Sequence, residues 1–329
     1  MVTIRTLDAH TAGEPLRLII DGFPEPQGGT MLERREWLRE HHDHLRTAIM
    51  LEPRGHADMY GALLTRPERA GSDAGVLFMH NEGYSSMCGH GIIAVTTLVL
   101  ERRLLNPRTA GELVLDSPAG VIHARARFAG SRVAGVSFTN VPSFVLHAGV
   151  PVRANGRDLR ADVAFGGAFY AIVDSEAAGI PVSGQRLDDL RRTGMAIKET
   201  LESVIRVEHP VDPGLNGIYG TIFTGPPSRE DADLRNITVF AEAAVDRSPC
   251  GTGTCAVMAV LAAMGLLGPE QTFIHESIVG SRFQGRVVGE TMVGELPAIV
   301  PEIEGGAHIT GEHTFHIDPR DPFAHGFRL

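Results

Sequence analysis

Cysteine is scarce in this chain: three in 329 residues, an odd number, and none in the C-x-x-C spacing of a dithiol redox pair. The scarcity argues against a disulfide framework and leaves the thiols for chemistry in a reducing compartment, so a cytoplasmic location is expected. Basic residues are also short, 30 Lys and Arg against 40 Asp and Glu, for a formal charge of −10. Phosphate binding needs a basic face, so no nucleic-acid partner is expected. The longest apolar runs, Ile92 to Leu100 and Cys255 to Leu267, fall short of the ~20 residues that span a bilayer. The opening Met1-Val2-Thr3-Ile4-Arg5 lacks the basic and apolar segments of a secretion signal. Neither a lysine signature for pyridoxal phosphate nor a nucleotide-binding glycine fingerprint is visible, so a cofactor-independent activity is expected. Glycine, by contrast, is plentiful at 38 residues, which suits a strand-rich architecture with many turns.

Length favours two domains. In the first half, Thr3 to Leu7 and Leu16 to Ile20 read as strands around the loop Asp8 to Pro15. Met31 to Leu51 reads as one helix, with Leu32, Trp37, Leu38, Leu45 and Ile49 at roughly helical spacing. The His41-His42-Asp43-His44 run within it is read as a solvated helix face, because neighbouring positions point to different sides. Leu63-Leu64 and Gly75 to Met79 read as strands, and Leu113 to Phe128 and Val133 to Phe138 alternate as strands around the turn Pro118-Ala119-Gly120. The second half repeats the plan: strand-like Ala161 to Val173, a helix from Leu187 to Val207, and strands at Ile218 to Thr224 and Ile237 to Ala241. Arg286 to Ile303 and Ala307 to Ile317 then read as closing strands. No low-complexity linker divides the halves, so Pro142 to Val152 is expected to be a tight crossover. The boundaries expected are 1–140 and 141–304, with 305–329 returning to the first half.

Cys88-Gly89-His90-Gly91-Ile92-Ile93-Ala94-Val95 recurs 162 residues later as Cys250-Gly251-Thr252-Gly253-Thr254-Cys255-Ala256-Val257. Each copy sets a cysteine ahead of a glycine-rich turn and an apolar run with helical spacing. A thiol at a helix N-terminus lies at the positive end of the helix dipole, which favours its thiolate. Four readings compete. Zinc could be held by Cys88, His90, Cys250 and Cys255, but structural zinc ligands come in paired short spacings, and Cys255 sits on an apolar stretch like a small core residue. A cysteine hydrolase needs one nucleophile and a base, which leaves the duplication unexplained. Inert duplicated thiols are the bland alternative. The fourth reading uses both cysteines. Inverting an amino-acid α-carbon takes a base on one face and an acid on the other, and two thiols can exchange those roles. The turns, Gly89 to Gly91 and Gly251 to Thr252, offer backbone N–H groups to the substrate carboxylate.

Met87-Cys88-Gly89-His90-Gly91 and Asp246-Arg247-Ser248-Pro249-Cys250-Gly251-Thr252-Gly253-Thr254 resemble the two active-site signatures of the proline racemase superfamily. Asp8 to Pro15, Glu52 to His56, Asp58 to Gly61, Phe165-Gly166-Gly167 and the ending Asp318 to Phe327 resemble family sequence as well, so the similarity runs along essentially the whole chain. The resemblance implies an α/β fold of two pseudo-symmetric lobes of the diaminopimelate epimerase type. Each lobe would be a curled, mostly antiparallel sheet around a central helix, with the site in the cleft. It implies Cys88 and Cys250 as the catalytic bases. His90 and Asp246 would hold the ring nitrogen of a proline-like substrate, and Gly89, Gly91, Gly251 and Thr252 its carboxylate. Tyr60 and Phe240 would form apolar walls. No metal and no membrane partner is expected, and a homodimer is compatible with the chain.

Cysteine at both positions looks like the racemases and epimerases of that superfamily, whereas its dehydratases typically carry threonine at the second. The approach His80-Asn81-Glu82-Gly83-Tyr84-Ser85-Ser86 resembles the dehydratase branch instead. The expectation is therefore epimerisation of a proline-type amino acid, with 4-hydroxyproline ahead of proline. The alternative is dehydration of trans-3-hydroxy-L-proline to 1-pyrroline-2-carboxylate. A remoter one is an amino-acid-binding protein without turnover.

Overall fold

A computed structural model describes residues 1–328. The chain separates into two compact units, Met1–Phe138 with Gly306–Leu329, and Thr139–Gly305. The elements up to the end of the first stretch are β1 (Val2–Thr11), β2 (Glu14–Asp21), α1 (Met31–His41), α2 (Asp43–Met50), β3 (Tyr60–Thr65), β4 (Ala74–His80), β5 (Tyr84–Ser85), α3 (Gly89–Arg102), β6 (Glu112–Ser117), β7 (Gly120–Ala129) and β8 (Arg132–Thr139). There follow β9 (Ser143–Ala154), β10 (Arg157–Phe165), β11 (Phe169–Asp174), α4 (Ser175–Ala178), α5 (Leu187–Val204), β12 (Ile218–Gly225) and β13 (Leu234–Phe240). The chain closes with β14 (Ala244–Asp246), α6 (Gly251–Ala263), β15 (Phe273–Ser277), β16 (Arg282–Val293), β17 (Leu296–Gly305) and β18 (Ala307–Ile317).

The two units share one pairing scheme. In the first, β18–β1 and β1–β2 are antiparallel, β2–β3 parallel, β3–β4 and β4–β5 antiparallel, β4–β6 parallel and β6–β7 antiparallel. The second repeats that order of senses through β9, β10, β11, β12, β13, β14, β15 and β16. There β17 joins β16 to β9, so eight strands close on themselves. The duplicated cysteine turn is thus one corner of a duplicated supersecondary plan.

Each cysteine helix is apolar around its whole circumference, a pattern that suits only a helix enclosed by other elements. Every residue of α3 from Gly89 to Val99, and of α6 from Gly251 to Val260, is buried. Helix α3 packs against β1, β2, β3, β7 and β18, and α6 against β9, β10, β11, β16 and β17. By contrast α1 and α2 are amphipathic and cover one face, burying Met31, Leu38, Leu45 and Ile49 against Ile4, Leu63, Leu77 and Met79. No helix among the described residues is long and apolar enough to cross a membrane.

The stretch read as one strand over Ala161 to Val173 is the antiparallel hairpin of β10 and β11, turning between Phe165 and Phe169. Three further sequence expectations need correction. Met31 to Leu51 is two helices, not one. Thr30 and Glu33 form a reciprocal capping box that starts α1, and the helix ends at His42 (φ −135°, ψ 18°). Asp43 then opens α2, its carboxylate 2.6 Å from Arg46, an acidic side chain where the helix dipole favours one. The histidine run therefore straddles a break, and His42 leans on Trp37 with ring centroids 4.7 Å apart. The loop read over Asp8 to Pro15 is mostly strand: only Ala12 and Gly13, at φ 53° and 96°, make the turn of a two-residue hairpin. Finally, Pro142 to Val152 is no bare crossover, since Ser143–Ala154 forms β9 in the second ladder.

Candidate active site

In the first unit, the short β4–β5 hairpin delivers the chain to Cys88, the N-cap residue of α3. Its backbone is extended (φ −146°, ψ 109°), and its sulfur accepts the Gly91 N–H at 3.3 Å. The thiol thus fills the place that a serine or aspartate cap would take. Glycine at position 91 is a steric requirement. A Cβ there would sit 2.4 Å from Phe78 Cε1 and 3.0 Å from Cys88 Sγ. His90 Nδ1 lies 3.1 Å from Cys88 Sγ, so the imidazole can hydrogen-bond the thiol or pair with its thiolate. Thr11 donates to the His90 carbonyl at 2.9 Å, and the Tyr60 ring meets the His90 ring edge-on at 4.8 Å. Tyr60 is held in turn by a 2.5 Å hydroxyl contact with Ser85. Cys88, His90, Tyr60 and Ser85 are all buried.

In the second unit, Cys250 is the N-cap of α6, and its sulfur accepts the Gly253 N–H at 3.3 Å. A Cβ at Gly253 would lie 2.9 Å from that sulfur and 2.9 Å from Ile222 Cδ1, so both copies need glycine three residues after the cysteine. Asp246 Oδ1 accepts the Ser248 N–H at 2.8 Å, and Ser248 Oγ accepts the Cys250 N–H at 3.1 Å. The Pro249 carbonyl is gripped by Thr254 Oγ1 at 3.0 Å and Asn236 Nδ2 at 3.1 Å. Behind Thr254 stands His275, its Nδ1 2.9 Å from the Thr254 hydroxyl. Thr252 Oγ1 is 3.7 Å from Cys250 Sγ and 2.7 Å from the hydroxyl of Tyr170. Phe240 stacks on Tyr219 at 5.4 Å.

Burial pushes the Cys250 thiol up to about 12, and the Asp246 carboxylate adds to the rise; Thr238, the Gly253 N–H and Thr252 pull the other way. At neutral pH Cys250 therefore holds its proton. Cys255 is fully buried, and burial raises its thiol as well.

The residues singled out in the sequence fall into two clusters. Cys88, Gly89, His90, Gly91 and Tyr60 gather at the head of α3, and Cys250, Gly251, Thr252 and Asp246 at the head of α6. Phe240 is on β13, in register with Ala244 of β14. Sequence reasoning missed Gly253, which the register of the repeat could have flagged as the match of Gly91. It also missed Ser85, Thr11, Thr238 and Tyr170, which reach the site from other strands. Among the described residues, no group of three or more His, Cys, Asp or Glu is placed to hold a metal ion.

The family model described as proline racemase matches residues 6–328. The chain belongs to the proline racemase family. A relative from Bacillus cereus named trans-3-hydroxy-L-proline dehydratase is 50% identical over 98% of this chain and 97% of its own length. Another from Burkholderia multivorans, named 3-hydroxyproline 2-epimerase, is 44% identical over 99% of this chain and 98% of its own. Among solved structures, a hydroxyproline epimerase from Agrobacterium vitis with bound trans-4-hydroxy-L-proline superposes with a TM-score of 0.94 at 31% identity, covering 100% of this chain and 95% of that one. The mixed α/β architecture of the chain is that of these proline racemase family structures. Relatives in the family are named both as racemase and epimerase isomerases and as dehydratases.

Proposed function

We propose that this protein is a cofactor-independent epimerase of a hydroxylated proline, moving the α-proton between Cys88 and Cys250 on opposite faces of one substrate. The observation that carries the reading is the pair of sulfur-capped helix N-termini: each sulfur accepts an N–H at 3.3 Å, from Gly91 in one unit and Gly253 in the other. Proton transfer by a positioned group contributes about 10²–10⁴-fold, and inversion needs such a group on each face. Cys88, beside His90, suits the base; Cys250, held protonated, suits the acid. The substrate carboxylate is assigned to the first-turn amides of Gly89 and His90 and of Gly251 and Thr252, where helix dipoles favour an anion. Gly91, which the sequence grouped with them, donates to the sulfur and so serves the thiol. His90 and Asp246 are assigned to the ring nitrogen, and Tyr60 and Phe240 to the ring faces. The lobes of the diaminopimelate epimerase type and the cytoplasmic location expected from the sequence belong to this reading.

Among substrates, 4-hydroxyproline stays ahead of proline because a neighbour of the same architecture holds trans-4-hydroxy-L-proline. A second reading is dehydration of trans-3-hydroxy-L-proline, favoured by the name of a relative at 50% identity. Incubation in deuterated water with proline and with the 3- and 4-hydroxyprolines tests both, followed by proton NMR and chiral chromatography. Epimerisation gives the C2 epimer with deuterium at the α-carbon and the hydroxyl retained. A cyclic imine from the 3-hydroxy compound, with the other two unchanged, would replace the first reading by the second. An unexchanged α-hydrogen in all three would reduce the chain to a binding protein.

A further inference from the structure

The two thiols have different partners at the same point of the repeat. Two residues after Cys88 stands His90, its Nδ1 3.1 Å from sulfur. Two residues after Cys250 stands Thr252, whose hydroxyl is 3.7 Å from sulfur and 2.7 Å from the hydroxyl of Tyr170. Tyr170 Oη is itself 3.8 Å from Cys250 Sγ, so sulfur and two hydroxyls form a closed triangle. Tyr170 arrives from β11, which no motif connects with the cysteine turn, and is 1% exposed.

We propose that Tyr170 is a positioning residue for Cys250, its hydroxyl working through Thr252 to orient the sulfur and to stabilise the charge it takes up when its proton leaves. The inference rests on the reading that Cys250 exchanges a proton with substrate. A buried thiolate without donors would be strongly disfavoured, since hydrogen bonds to the charged form are what offset desolvation. The first unit supplies an imidazole for this purpose and the second supplies hydroxyls. Burial, reinforced by Cys250 and Tyr219, holds the Tyr170 phenol well above its ordinary range, so it remains a neutral donor throughout. The other titratable groups facing this sulfur are Asp246 and Cys255. A purely structural Tyr170 would need only its ring, which meets Tyr219 edge-on at 5.9 Å. Phenylalanine would serve that role equally well.

The test is Tyr170→Phe, read by the pH dependence of iodoacetamide alkylation, with each cysteine resolved by mass spectrometry of the digest. Loss of the hydroxyl should slow Cys250 alkylation about tenfold at pH 9, an upward shift of about one pH unit in its ionisation. The Cys88 profile should not move. Thr252→Val should reproduce the slowing, Thr252→Ser should restore it, and combining Tyr170→Phe with Thr252→Val should add little, because the two hydroxyls act as one chain. An unchanged Cys250 profile in Tyr170→Phe, or an equal shift at Cys88, would overturn the proposal. If Tyr170→Phe does not fold, Thr252→Val and Thr252→Ser decide the matter by the same two outcomes. Alkylation needs no substrate, so the result stands apart from whether the chain epimerises hydroxyproline.

Discussion

Cys250 sits in the left-handed region at φ +61°, whereas Cys88, its counterpart in the repeat, is extended at φ −146°. A non-glycine residue held there costs about 1–3 kcal/mol, and such strain persists only where neighbours over-determine it. They do so here. Ser248 Oγ takes the Cys250 N–H, Asp246 fixes Ser248, and Thr254 and Asn236 pin the Pro249 carbonyl. The Asp246-Arg247-Ser248-Pro249 segment thus builds the turn that aims the second sulfur, and Asp246 has this structural task beside the one assigned to it on substrate.

Removing either thiol separates the two candidate reactions. In trans-3-hydroxy-L-proline the carboxylate and hydroxyl lie on opposite ring faces, so the α-hydrogen and hydroxyl share a face. One thiol on that face can take the proton and return it to the departing hydroxyl. Inversion needs both thiols. Cys88→Ser and Cys250→Ser should each lower epimerisation of 4-hydroxyproline by at least about 10²-fold. If dehydration of the 3-hydroxy compound is present, one of the two variants should keep it. Chiral chromatography and a colorimetric imine assay on the same preparations provide the readout. Near-wild-type inversion by either variant would end the two-thiol assignment.

The glycines that let the helices receive sulfur give a second expectation. Gly91→Ala drives a methyl to 2.4 Å from the Phe78 ring, and Gly253→Ala drives one to 2.9 Å from both Cys250 Sγ and Ile222. Overpacking of this kind costs about 1–3 kcal/mol. Each variant should lose that much in urea unfolding and should displace its own sulfur from the amide. Activity should therefore fall more than stability predicts, with altered alkylation confined to the adjacent cysteine. Full activity in Gly253→Ala would show that the sulfur cap is dispensable.

The repeat made half of the site legible and hid the rest. A cysteine followed by glycines and an apolar run announces a helix N-terminus because capping and periodicity are local. Cys88, Cys250 and the turn amides that follow them could be named on that basis, whereas the role of the His90 side chain came only with the family resemblance. Tyr170, Ser85 and Thr11 could not: each comes from another strand, and only the ladder's pairing brings it to the turn. The pairing scheme was half visible for the same reason. Strand stretches showed as alternation, yet the join of β17 to β9 that closes the second ladder links residues far apart in the chain. The missed break at His42 has a different origin. Apolar spacing runs through Met31 to Ile49 on both sides of it, and the restart depends on an Asp43–Arg46 pair that periodicity does not register.

Two buried histidines set how the fold responds to acid. His275, fully buried behind the Cys250 turn, is pushed down to about 3 from an ordinary 6.5 by burial. His80, at the end of β4, is also pushed to about 3, by burial first and then by the charges of Arg46 and Arg328. Both are neutral in the folded chain, while in the unfolded chain they bind protons below about pH 6.5. Above that pH neither state binds a proton at these sites, and they contribute no pH dependence. Below it the unfolded state gains protons that the folded state refuses, so stability falls with pH until the folded values near 3 are reached. The slope is about 1.4 kcal/mol per pH unit for each histidine. His275→Gln stays neutral at every pH and can still donate an amide N–H to Thr254 Oγ1, whose own proton is committed to the Pro249 carbonyl. Its stability, measured by urea unfolding between pH 4 and 6, should depend on pH less steeply than that of the parent by about that amount. Parallel slopes in the two proteins would mean that His275 already carries its proton in the folded state.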